Sequence, residues 1–409
     1  MKKFIKTHPI ISTILVPILF VIGHDFVYIP LKNMMVEQFF LPPVISTGVS
    51  TDGRYVITAH AWRDMNRNFD NNPLVLWDVK NKSKQIIAKK VNPFSAYFIP
   101  DSHEFMWQDN KDVVHIQNIA GEETLSFKHP RTMGHLMLAD KKNYISATPD
   151  WWIYSGYGKD RKLVLNDDET GGVAPLNLSL AGDYFLTAGD DIGHVEPIID
   201  TDFKNKPVID TSEGKLPSNF TELVLWDKNT LQPITRIRIH DGKIFALFSP
   251  DGKWLISGDE NAINYMWSMD NLNQRLLLER PDRFSIKSKY AEVPDKLREK
   301  KIISPATVAY AFLTETDFIQ LGKLWHDSKS SLCPLYTVGN KWIQGFVDLQ
   351  DDPMPSLDYY SKSLTIASSY KAHVLVTGQA YKGGISVYQY HPDKKELERI
   401  WVGDDRKYW

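Results

Sequence analysis

From residue 44 onward, apolar and polar residues alternate with a period of two in short runs separated by Gly, Pro, Asn and Asp, the pattern of half-buried β-strands. The clearest stretch is HDGKIFALFSPDGKWLISGDENAINYMW, His240 to Trp267. Ile244 to Ser249 alternates as a strand, Pro250-Asp251-Gly252 supplies a turn, and Lys253 to Ser257 alternates as a second strand. A turn at Asp259 to Asn261 leads into a third strand, Ile263 to Trp267, and QRLLLE supplies a fourth. The unit is an antiparallel four-stranded meander.

The same pattern recurs. GVSTDGRYVITA is followed by LVLWDVKN, and LSLAGDYFLTAG, much later, by LVLWDKNT. Weaker copies read AYFIPDSHEFMWQD with VVHIQNIAG, HLMLADKKNYISATPDWWIY, VAYAFLTETDFIQLGKLW, and LTIASSYKAHVLVTGQ with ISVYQY. Copies start near Thr47, Phe94, Gly134, Ala174, Lys243, Thr307 and Ser363. With its leading histidine, FSPDGKWLISG core and closing tryptophan, the fifth copy resembles a WD repeat, the unit of β-propeller blades. The resemblance implies an all-β propeller of seven four-stranded blades over 44–409. The third and sixth copies leave six or eight as alternative counts. Stacking blades radially buries both faces of each sheet, which a lone meander cannot do. Ring closure is expected from Val44 to Val49 completing the last blade beside LERIWVG near the C-terminus.

WD repeats often carry a buried His, Ser/Thr, Asp and Trp network within a blade. In the fifth copy His240, Ser257 and Trp267 match it, while Asn261 stands at the aspartate position and offers an uncharged amide. Trp77-Asp78 and Trp226-Asp227 retain the dipeptide that gives the family its name. The resemblance gives all eight residues a structural role, with the tryptophans packed between blades.

Three insertions interrupt the repeat: His60 to Asn72 and Gly189 to Glu222 between second and third strands, and Arg280 to Lys301 between blades. In propellers these two kinds of connection emerge on one face, together with the link Asp348 to Lys362. Long loops on a rigid scaffold are where binding concentrates. The candidate partner-binding residues are therefore Trp62 and Arg63, then His194, Glu196 and Phe203, then Tyr290 and Arg298. Trp151, Trp152, Tyr154 and Tyr157 are read mainly as inter-blade core.

At the N-terminus Lys2, Lys3 and Lys6 precede an apolar run from Pro9 to Gly23, the layout of an export signal or signal anchor. Residues 1–30 are read as a hydrophobic helix that anchors the chain in a membrane, with cleavage after Gly23 as the alternative, and 31–43 as a connecting segment. The positive-inside rule then leaves the N-terminus in the cytoplasm and exports the propeller, into a periplasm in a bacterium.

Composition narrows the function classes. The chain has 43% hydrophobic and 12% aromatic residues, as a folded β protein requires. A formal charge of -2 provides no overall field for nucleic acid. Cys333 is the only cysteine, which excludes an intrachain disulfide and a cysteine-based zinc site. Acidic residues from Asp190 to Asp210 lack EF-hand spacing. No phosphate loop, nucleophile elbow, His-Glu-x-x-His or CxxC motif occurs. No catalytic, metal-binding or cofactor-binding residue is assigned. The chain reads as a membrane-anchored, non-catalytic scaffold for protein partners; the alternative is an enzyme or small-ligand binder using the central channel.

Overall fold

The computed structural model describes residues 41–61, 72–165 (apart from 133, 139, 143 and 149–152), 179–190 (apart from 182), 208–210, 220–280 (apart from 242, 243 and 260–262), 307–322, 332–349, 366–378 and 383–403. They form seven sheets, blades 1 to 7, over 44–89, 97–128, 134–165, 179–241, 244–277, 307–348 and 366–403. Every predicted start lies within a few residues of an observed first strand, so the count is seven. Six blades are plain four-stranded meanders. Blade 4 has a fifth strand, Val208–Asp210, which comes from the long insertion and pairs in parallel with the outer strand Pro233–Asp241. The insertion expected to be a loop thus also lengthens a sheet.

Hydrophobic clusters join successive blades. Ile57 and Leu74 of blade 1 pack with Phe98 and Phe105 of blade 2. Leu186, Leu223 and Ile237 of blade 4 pack with Leu255 and Trp267 of blade 5. Between blades 6 and 7, Leu321, Cys333 and Leu335 meet Leu375 and Tyr388. Tyr154, expected in the core, is buried, and Tyr157 stacks on Phe127 with centroids 4.4 Å apart.

The ring does not close through an exchanged strand. Val44–Val49 pairs with Tyr55–His60 of its own blade, from Val49↔Val56 to Val44↔His60. Blade 7 supplies its own outer strand, Glu396–Gly403. The reason is local. Ser50 Oγ and the Arg54 amide both donate to Asp52 Oδ1, at 2.6 and 3.1 Å, and fix a tight turn that pairs neighbours in sequence at little loop-closure cost. Blades 7 and 1 instead meet side by side, with Trp401 edge-on to Trp77 at 5.9 Å and the Ser369 hydroxyl donating to the Thr51 carbonyl at 2.5 Å.

Strands alternate in direction, so first-to-second and third-to-fourth connections lie on one face and all others on the opposite face. On the first face every connection is a short turn, the longest running from Val338 to Gln344. The second face receives all the long ones: 61–72, 166–178, 191–219, 278–306, 323–331 and 349–365. Among the described residues no helix is long and apolar enough to cross a membrane, and the apolar N-terminal run lies outside them.

Candidate functional site

The residues expected to tie the blades together can be followed individually. Trp267 Nε1 donates to Ser257 Oγ at 2.8 Å, and both side chains are buried. Trp77 makes the same bond to Thr58 Oγ1 at 2.8 Å, and Trp226 to Thr187 Oγ1 at 3.0 Å. Each tryptophan faces a residue of the second strand, and its partner stands two positions further along that strand. The strand pairing puts Trp107, Thr148, Gln320 and Thr377 at the corresponding position of the other blades. Trp107 apart, all are buried polar groups.

Thr58 also meets His60 Nε2 at 2.7 Å, and the Tyr336 hydroxyl lies 3.3 Å from Gln320 Oε1. Beside this position, Gln108 accepts from Asn92 Nδ2 at 2.9 Å and Ser146 lies 3.2 Å from His129 Nε2. In blades 6 and 7 a tyrosine replaces the tryptophan. Its longer reach lets Tyr336 donate to the Glu279 carbonyl and Tyr388 to the Leu349 carbonyl, both at 2.8 Å. The sequence marks this second-strand position only at Ser257, where histidine, hydroxyl and tryptophan stand together in one copy; in blade 6 an amide, Gln320, fills it and in blade 2 Trp107 does. His240 belongs to the strand Pro233–Asp241, and Asn261 lies outside the described residues.

Asp78 and Asp227 of the two dipeptides serve their turns. Asp227 Oδ1 accepts the amides of Thr230 and Asn229 at 2.7 and 2.8 Å, which outweighs partial burial and holds its pKa below the ordinary value. Desolvation raises the pKa of Asp78, but bonds from Asn81 and Arg54 Nη2 bring it below the ordinary value.

A cavity of about 570 Å3 opens on the short-turn face, lined by Thr51, Asp52, Asp101, Ser102, His103, Lys371 and Ala372. These residues come from the first turns of blades 7, 1 and 2. Lys371 Nζ contacts Asp101 Oδ1 at 2.5 Å, which raises its pKa, and His103 Nε2 lies 2.9 Å from Asp52 Oδ2. Asp52 is partly desolvated, which raises its pKa, yet bonds from Ser50, Arg54 and His103 bring it below the ordinary value. Asp251 in blade 5 is bound by Ser249 and Lys253 in the same way. The turn therefore accounts for one oxygen of Asp52, and the His103 contact is what distinguishes this site. The Asp101 carboxylate escapes turn duty because Asp101 itself takes a positive φ of 56°. One ion pair and one histidine–carboxylate contact thus span three blades, half exposed. The arrangement suits exchange of partners with a ligand bearing both charges.

Trp62, Arg63, His194, Glu196, Phe203, Tyr290 and Arg298 lie outside the described residues. Their connections all belong to the face of long connections, opposite the cavity. Among the described residues no group of three His, Cys, Asp or Glu is placed to hold a metal ion.

Solved structures share this architecture. The β-propeller domain of Cps50 (Swd1) from Myceliophteria thermophila is similar over 86% of this chain and 98% of its own, with a TM-score of 0.53 and 10% identity. Kluyveromyces lactis Hsv2 is similar over 89% and 99%, with a TM-score of 0.47 and 10% identity. A form of Hsv2 with loop 6CD replaced by a Gly-Ser linker is similar over 88% and 99%, with a TM-score of 0.49 and 10% identity. At this identity the likeness to the first shows the fold alone, a β-propeller. No protein-family model matches the chain, and no curated protein matches it in sequence.

Proposed function

We propose that this chain is a non-catalytic platform that docks a protein partner on the face bearing its long connections. One observation carries the reading. Every connection on one face is a short turn and every long connection is on the other, although both faces have the same number of strand ends to join within each blade. Long connections on a rigid ring are the usual carriers of recognition. Replacing 63–71 and 283–300 separately with short Gly/Ser turns tests it, since both lie outside every observed strand. Each variant is expected to melt like the parent and to recover less of the same partner from mild detergent. Full recovery by both overturns the reading. The insertion of blade 4 is unsuited to wholesale deletion, because 191–221 includes Val208–Asp210 and the start of Phe220–Asp227.

Anchoring and export are part of the proposal, supported by the three lysines ahead of the apolar run. The propeller then works beside a membrane, outside the cytoplasm.

The cavity favours a second reading, in which the chain holds a small ligand with both charges between Lys371 and Asp52. Calorimetric titration with small zwitterions tests it, and heat that persists after Lys371→Glu excludes this cavity as the site.

A further inference from the structure

The outer edge of blade 1 carries lysines at 80, 82, 84, 89 and 90, all exposed, and no acidic residue occurs between Val79 and Val91. In the middle Ile86 leaves 48% of its surface open. The strand Ser83–Lys89 ends its sheet, with no further strand beyond it among the described residues. The outer strands of both flanking blades mix the charges, Glu123 with Lys128 in blade 2 and Glu396 and Glu398 with Arg399 in blade 7. A run of lysines without acid thus sets this edge apart from its neighbours in a chain whose formal charge is -2.

We propose that this edge is a contact surface for an anionic lipid bilayer. Lysines along one strand and at both of its ends place several positive charges where they meet a headgroup layer together, and each contributes about fivefold to binding near such a surface. Ile86 supplies an apolar side chain at the centre, which the interface accommodates and a phosphate backbone does not use. Stretch 79–91 has no aromatic residue on which a nucleic-acid base would stack. The proposal is independent of docking on the long-connection face and survives if that reading fails.

The test places the full chain in phosphatidylcholine vesicles and in vesicles of equal parts phosphatidylcholine and phosphatidylglycerol, and reads lysine modification by an amine reagent. Labelling of Lys80, Lys82 and Lys89 is expected to fall several-fold in the anionic vesicles at low salt and to recover at high salt, as screening requires. Lys253 in blade 5 should label equally in both. The double variant Lys82→Glu, Lys89→Glu should lose protection at Lys80; Lys84 stays in place because it lies over the buried Trp77 ring. Equal labelling of the wild-type lysines in the two lipids overturns the proposal. So does protection by inorganic phosphate alone, which would make the edge a free-phosphate site, or by an RNA oligonucleotide without vesicles.

Discussion

Trp267 and Ser257 face the same space inside blade 5, the indole N–H donating to the hydroxyl at 2.8 Å while the ring fills the boundary with blade 4. Packing and polarity are separable here. Trp267→Ala should cost about 3–5 kcal/mol, the range for removing a buried aromatic. Trp267→Phe keeps most of the ring but takes away the indole partner of Ser257, and should cost about 1–2 kcal/mol. Denaturant midpoints of the two variants check both values; an unchanged midpoint for Trp267→Ala would place the ring outside the core.

How far the sequence reveals this molecule depends on whether a feature is carried by period or by identity. Alternation placed all seven blades, because a buried strand needs apolar residues on its faces whatever their type. The polar position on the second strand stands out at Ser257 and is hidden at Gln320, because any side chain that satisfies the same donor can occupy it. Closure is hidden in the sequence for a different reason. Val44 to Val49 has the same alternation whether it pairs with Tyr55–His60 or with blade 7, and the choice is made by the Asp52 turn. The cavity was invisible, since His103 and Lys371 come from distant repeats and carry no motif.

The joint between blades 7 and 1 gives a second prediction. Gly53 has φ of +69°, and a Cβ there would lie 2.7 Å from Val374 Cγ2 and 2.8 Å from Ala372 Cβ. Gly53→Ala therefore strains the turn and pushes blade 7 away. A loss of about 1–3 kcal/mol is expected, with faster amide exchange in 366–378 than in blade 4. Wild-type exchange across 366–378 would show that the seam is looser than this packing.

Two buried histidines predict acid sensitivity. Burial lowers the pKa of His129 and His135 to about 4 from an ordinary 6.5, although each also contacts a backbone carbonyl. A folded-state pKa below the unfolded one means the unfolded chain takes up protons first. The neutral rings thus contribute stability that is fully present above about pH 6.5 and is lost as pH falls toward 4, on the order of 3 kcal/mol for each. His135→Gln, which retains a donor and an acceptor, should roughly halve the histidine part of that slope. Stability measured by denaturant from pH 7 to 4 checks the difference.

The orientation of the chain is testable through its C-terminus. Because Lys2, Lys3 and Lys6 precede the apolar run, a reporter that works only outside the cytoplasm should be active when fused after Trp409. Activity confined to a cytoplasm-only reporter would remove export from the proposed function.

The last prediction separates the two faces. Lys371→Glu puts like charges beside Asp101 in the cavity of the short-turn face, where Lys371 and Asp101 keep 45% and 59% of their side-chain surface exposed. Water screens such groups, so the melting midpoint should stay close to the parent value. If the chain acts by docking a protein on the opposite face, the variant should recover that partner in full, while Gly/Ser replacement of 63–71 or 283–300 should not. If it acts by holding a ligand that bridges Lys371 and Asp52, the order reverses: the charge reversal should abolish binding heat, and both loop replacements should leave it unchanged. A partner lost in the cavity variant and kept in both loop variants would therefore move the working surface to the short-turn face, where the first turns of three blades already meet.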